Sequence, residues 1–125
     1  MEEEWHMNED SILTSIKKLL GIAGDYYQFD TDIIMSINSS FAVLNQFGVG
    51  PKDGFTISDS STTWDEFLGD NKKLEMAKMY CYLRCRLIFD PPQSSAVTES
   101  INNTIHELEW RLTVVTDEES EVRTG

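Results

Sequence analysis

The sequence predicts a mainly α-helical protein: a small helical bundle of three to four long helices plus a short helical turn, with one long irregular loop. Three observations predict it. Apolar residues recur at three- and four-residue spacing in four separate segments, as the buried face of an α-helix requires. Turn chemistry ends the first three of those segments, at Gly21, Gly48 and Asp90-Pro91-Pro92, and Gly69 closes the short helical turn. The one candidate strand, Phe55-Thr56-Ile57, is too short to build a sheet.

The first helix is expected over residues 11–20. Ile12, Leu13, Ile16, Leu19 and Leu20 share a face, and Gly21 closes it. Glu9 and Asp10 precede its first turn and Lys17 and Lys18 occupy its last, both placements suiting the helix dipole. The second helix should begin near Asp30, read as its N-cap, and end at Phe47. Ile33, Ile34, Ile37, Phe41, Leu44 and Phe47 form its core face. Its other face carries Ser36, Asn38, Ser39, Ser40, Asn45 and Gln46, with no charge between Asp32 and Lys52. That face is either ordinary exposed Ser and Asn or a surface packed against another subunit, for which Ser36, Ser39, Ser40 and Asn45 are the candidates.

Gly48-Val49-Gly50-Pro51-Lys52-Asp53-Gly54 opens an irregular connection of about fifteen residues, a length that is usually functional or disordered in a compact domain. Thr63-Trp64-Asp65-Glu66 has capping-box spacing and should open one helical turn, Trp64 to Leu68, closed by Gly69. The third long helix is expected over residues 71–89, stopped by Asp90-Pro91-Pro92. Leu74, Ala77, Cys81, Cys85 and Ile88 make one stripe; Met76, Met79, Tyr80, Leu83 and Leu87 make a second. Only Glu75, Lys78, Tyr82 and Arg86 leave a polar strip, so this helix should be central. The last helix, capped by Ser94 or Ser95, should run to about Leu112 on Val97, Ile101, Ile105, Leu108 and Leu112. Trp110 lies about 200° around the helix from Leu108 and faces away from that stripe.

The chain has 125 residues, 40% of them hydrophobic, which suits a single domain with a sizeable core. Its 22 acidic residues against 10 basic ones give a net charge of −12. Such an excess argues against a surface that grips nucleic acid or anionic lipid. The acid concentrates at the ends: residues 1–10 carry −5 and residues 116–125 carry −3, leaving −4 for everything between. We therefore expect a folded core over about 9–115, with 1–8 and 116–125 as acidic tails. Met7 is an alternative start, which would make Met1 to His6 an extension. The acidic N-terminus has the wrong sign for a signal peptide, and no apolar run approaches the roughly 20 residues that span a bilayer.

Candidate chemistry is sparse, and we expect no catalytic, cofactor-binding or metal-binding residues. His6 lies in the tail and His106 among polar neighbours. Cys81-x-x-x-Cys85 lacks partners for a metal and sits on a buried stripe, where cysteine acts as a small hydrophobe. Gly48-x-Gly50 follows a helix and runs into Pro51, unlike a phosphate loop. Asp30-x-Asp32 and Asp65-Glu66 sit where helix N-termini favour negative charge. Trp110, followed by Val114 and Val115, suggests instead an apolar patch that anchors an interface or packs on its own fold.

Several stretches taken in order resemble the head–tail connector (adaptor) family of long-tailed phages and prophages. They are Ile12-Leu13-Thr14-Ser15-Ile16-Lys17-Lys18-Leu19-Leu20-Gly21-Ile22, Asp30-Thr31-Asp32-Ile33-Ile34 and Leu44-Asn45-Gln46-Phe47-Gly48-Val49-Gly50-Pro51. Trp64-Asp65-Glu66-Phe67-Leu68-Gly69-Asp70, Leu87-Ile88-Phe89-Asp90-Pro91-Pro92-Gln93-Ser94-Ser95 and Glu107-Leu108-Glu109-Trp110-Arg111-Leu112 complete the set, covering roughly residues 10–115. The resemblance implies a structural virion protein: a helical subunit of a ring, typically twelvefold, on the capsid portal. The ring joins head to tail, contacts the portal protein and a stopper or tail-completion protein, and surrounds the channel through which DNA passes without specific binding. It further implies assembly in the host cytoplasm and a portal interface near the end of the last helix, for which Trp110, Leu112, Val114 and Val115 are candidates. An acidic, DNA-mimicking inhibitor is the alternative; the collection of acids at the two ends speaks against it. A small enzyme has no basis in the residues, and a stopper would be richer in strands.

Overall fold

A computed structural model of the chain describes residues 11–69 and 73–124, with side chains of the final helix described as far as Thr116. Five helices are present among them: α1 (Ile12–Leu19), α2 (Asp30–Gln46), α3 (Trp64–Leu68), α4 (Leu74–Phe89) and α5 (Ser95–Thr124). The described residues contain no strand, only an isolated antiparallel bridge between Ser11 and Thr63. The mainly helical class read from the sequence is the observed one. The tail expected over residues 1–8 and the expected helix start at Asn71 lie outside the described residues.

α4 is the hub, packing against α1, α2 and α5. Its Ala77, Tyr80, Cys81 and Cys85 are fully buried, as expected of a helix apolar over most of its girth. α1 starts at the N-cap Ser11, whose hydroxyl accepts the Thr14 N–H at 3.2 Å, and ends at Gly21, where φ is +81°. α3 forms the expected capping box: Thr63 Oγ1 accepts the Glu66 N–H at 3.3 Å and Glu66 Oε2 accepts the Thr63 N–H at 2.8 Å. This cap sets Trp64 and Phe67 into a cluster with Phe41 and Phe55, the Phe41 and Phe67 rings lying 4.4 Å apart. Trp64 Nε1 donates to Ser15 Oγ at 2.7 Å, which satisfies the one polar atom of a buried indole.

Four expectations need correction. Phe55-Thr56-Ile57 is not a strand, because both backbone groups of Ile57 are taken by one side chain. Asn38 Oδ1 accepts the Ile57 N–H at 2.8 Å and Asn38 Nδ2 donates to the Ile57 carbonyl at 3.0 Å. Asp30 is not the N-cap of α2; Phe29 holds that position without a side-chain bond, and the Asp30 carboxylate turns to Lys17 instead. The last helix does not stop at Leu112 but continues to Thr124, since no glycine or proline intervenes after Ser95. Residues 116–124, expected as part of a tail, are therefore helical, and Thr116 lies against the end of α2: a Cβ on Gly48 would lie 2.8 Å from Thr116 Cγ2. Finally, Leu19, Ile88 and Val97 belong to the expected core stripes yet are largely exposed, each sitting in a terminal turn of its helix.

Candidate functional site

The chemistry-bearing side chains do not converge on a reaction centre. Among the described residues, no group of three or more His, Cys, Asp or Glu side chains could hold a metal ion, and no helix is long and apolar enough to cross a membrane. Cys81 and Cys85 are free, buried thiols. Burial pushes Cys85 up to about 12 against the opposing pull of Arg84, and it raises Cys81 well above the ordinary thiol range. Both therefore remain protonated and inert.

Three surfaces stand out instead. The first is a groove of about 490 Å³ whose floor is α4 and whose walls are α2 and α5. Met35, Leu87, Ile88 and Ile105 line it with apolar surface, Met35 and Ile88 being 67% and 62% exposed. Its polar centre is a chain of hydrogen bonds. Arg84 Nε donates to Ser40 Oγ at 3.0 Å, and Ser40 Oγ donates to the Ser36 carbonyl at 3.1 Å. The Arg84 guanidinium also lies 5.6 Å from the Tyr80 ring centroid, and Tyr80 Oη donates to Glu109 Oε2 at 2.8 Å. Burial, and then this bond to a carboxylate, push the Tyr80 phenol up to about 12. Glu109 Oε1 lies 3.2 Å from His106 Nδ1, so both oxygens of this carboxylate are engaged. Arg84 has no carboxylate within ion-pairing distance among the described residues.

The second surface is the outer side of α5. Trp110 is 68% exposed, with Glu107 and Arg111 paired beside it at 2.6 Å. An indole left this open on a packed helix has the character of an interface anchor.

The third is the connection between α1 and α2. Here Lys17, expected only to complement the helix dipole from the last turn of α1, is 2% exposed. Its ammonium donates to the carbonyls of Tyr26 at 2.8 Å and Gly24 at 3.2 Å and pairs with Asp30 Oδ1 at 2.7 Å. It also lies 5.2 Å from the Tyr27 ring centroid. Two hydrogen-bonded carbonyls and one ion-paired carboxylate thus surround the ammonium, which is what makes a buried cation tolerable. Folded around this one cation, the connection turns Tyr26, Tyr27 and Phe29 outward, with Tyr27 70% exposed.

The eight residues singled out from sequence are distributed unevenly over these surfaces. Ser36, Ser39 and Ser40 all line the groove. Ser40, however, is fully buried beneath Arg84 and offers nothing to a partner. Asn45 is exposed but nine positions from Ser36, about 180° around the helix, so the four do not form one face. Trp110 is exposed as expected, and Val114 and Val115 are half-buried. Leu112 is fully buried in the core and is not available as a contact. Sequence reasoning missed Arg84 and the Tyr26–Phe29 aromatics. The latter carried a signal, three aromatics in four residues belonging to neither helical stripe; Arg84 carried none.

A family model described as phage connector protein matches residues 12–119, most of the chain. No curated protein and no solved structure matches it.

Proposed function

Because the chain belongs to the phage connector protein family, a family of structural virion proteins, we propose that it is one subunit of a homo-oligomeric ring seated on the capsid portal. Twelve copies would suit a portal vertex. The ring joins the head to a stopper or tail-completion protein and surrounds the DNA exit channel. The observation that carries this reading is the presence of three unlike surfaces on one small bundle. The groove holds an arginine and a recess; the outer side of α5 holds a projecting indole; the α1–α2 connection holds projecting phenols. A subunit that closes a cyclic ring needs two different surfaces that meet heterologously, and a further one for what the ring sits on.

We assign Trp110, with Val114 and Val115, to the portal contact, and the groove around Ser36 and Ser39 to contact between subunits. α5 suits the portal role because its 30 residues span about 45 Å, nearly twice α4. The net charge of −12 fits a conduit, since acid near the channel repels phosphates and lets the duplex slide.

Mass photometry of the protein mixed with purified portal tests the assignment. The expected result is a multi-subunit complex on the portal, whether or not the protein is monomeric alone. Trp110→Ala should leave the helical circular dichroism unchanged and weaken portal association at least tenfold, the ordinary effect of losing a central aromatic anchor. A protein that stays monomeric and ignores portal would refute the ring reading.

A further inference from the structure

Resting on the ring reading above, we propose which two surfaces meet: the Asp25–Tyr26–Tyr27 tip of one subunit seats in the α2–α4–α5 groove of the next, placing Asp25 on Arg84. The occupant of the groove is therefore a second copy of this chain, and the contact is heterologous.

Placement is the first argument. Asp30, through which Lys17 ties the α1–α2 connection to α2, and Ser39, which lines the groove, are nine residues apart in one helix. At 3.6 residues per turn they point about 180° apart. The tip and the groove thus occupy opposite sides of α2, so a subunit gives its tip to one neighbour and its groove to the other. A contact between opposite sides cannot pair with itself, and it propagates around an axis.

Charge is the second argument. Arg84 is the cation at the centre of the groove, tied on one edge to a neutral serine and unpaired with any described carboxylate. Glu109, the acid lining the groove, already accepts from Tyr80 and faces His106. Asp25 is an exposed carboxylate next to two exposed phenols. An acid flanked by aromatic rings complements a guanidinium flanked by Met35, Leu87 and Ile88.

Size and stiffness are the third. A groove of about 490 Å³ accommodates ring side chains. Two tyrosines bury about 300–500 Å², below the roughly 800 Å² per partner of a stable pairwise complex. One such contact does not hold a dimer, whereas a closed ring makes two per subunit with its neighbours already positioned. The tip enters with little entropic loss, because Lys17 has already fixed its backbone from inside.

The test uses the full-length chain with portal, read by mass photometry and by cross-linking with a short bismaleimide. Tyr27→Cys combined with Ser39→Cys should yield a ladder of covalent multimers, while either single variant yields none. Cys81 and Cys85 are buried and do not contribute. Asp25→Arg and Arg84→Asp should each cut assembly at least tenfold, and the double variant carrying both should recover most of it. Since Arg84 also braces Ser40 and Tyr80, the exposed-tip variant Tyr27→Ala serves as a second probe and should weaken assembly to the same degree. Its helical fold is checked by circular dichroism, because the Tyr27 ring also faces Lys17. Rings that assemble on portal while the double-cysteine variant yields no ladder and Asp25→Arg is tolerated would overturn this contact while leaving the ring standing. Dimers cross-linked by a single-cysteine variant would overturn it in favour of a two-fold contact. A wild-type chain that never assembles on portal would remove the ring and the contact together.

Discussion

The two long connections of this molecule are held by opposite means. Residues 20–29 set Leu20 and Ile22 against the core at their start. From Gly24 to Asp30, however, the chain is ordered from beneath by one buried ammonium, which takes two backbone carbonyls and a carboxylate and leaves the aromatic side chains outside. Residues 47–63 are ordered by their own side chains: Val49, Phe55 and Ile57 go into or against the core, and Asn38 clamps the Ile57 backbone. A loop anchored by apolar residues spends them on its own fold. A loop anchored by a charge keeps its aromatics for something else, which is why the first is the better candidate for contact with another chain.

The largest effect should come from removing the charge. Lys17→Met leaves Asp30 and two carbonyls without their donor and should cost about 3 kcal/mol, the lower part of the range for breaking a buried pair, since Asp30 keeps 22% exposure. Urea unfolding followed by circular dichroism measures it, and the Tyr26–Tyr27 region should become the first site of limited proteolysis. If the loss were no greater than that of the next variant, the contrast between the loops would collapse. Asn38→Ala removes two bonds to Ile57 and should cost about 2 kcal/mol, with hydrogen exchange accelerated at the Ile57 amide. Smaller again is Thr63→Ala, which opens the capping box of α3 and should cost about 1 kcal/mol by the same unfolding assay.

A titration separates both loops from the core between them. Tyr80, Cys81 and Cys85 have folded-state values raised above their unfolded ones, so the folded chain keeps protons that the unfolded chain gives up. Their stabilising contribution is whole below about pH 9 and is lost as the pH rises from there towards about 12. The urea midpoint should hold steady up to pH 8 and fall by pH 11, in wild type and in Asn38→Ala alike.

What could be read from sequence was what local chemistry decides. The Thr63-Trp64-Asp65-Glu66 cap and the Gly69 stop define α3 within six residues of each other, and the structure reproduces them. The core stripe of α4 was legible because 3.6-residue periodicity needs no partner to be seen. What escaped reading were side chains whose role is set by a distant residue. Lys17 has its partner in Asp30, Ser40 is covered by Arg84 forty-four positions away, and Asn38 meets Ile57 across the chain. A Lys at a helix end, a Ser on an uncharged face and an Asn beside it look solvated until the fold brings those partners in. Leu112 illustrates the converse: its stripe position already placed it inside, and only its nearness to Trp110 suggested an interface.

The crossing of α5 over the end of α2 bears on how this chain can diverge. At Gly48 an added Cβ would sit 2.8 Å from Thr116 Cγ2 but 4.0 Å from Thr116 Cβ, so the obstruction is a single methyl group. Drift at either position is constrained by the other: a larger residue at 48 requires 116 to shrink or to turn its methyl group aside. The φ of +81° at Gly48 penalises that exchange even then. Among relatives, the two positions should consequently vary as a pair or stay as they are, and a lone replacement of Gly48 should mark lineages in which α5 has lifted away from the end of α2.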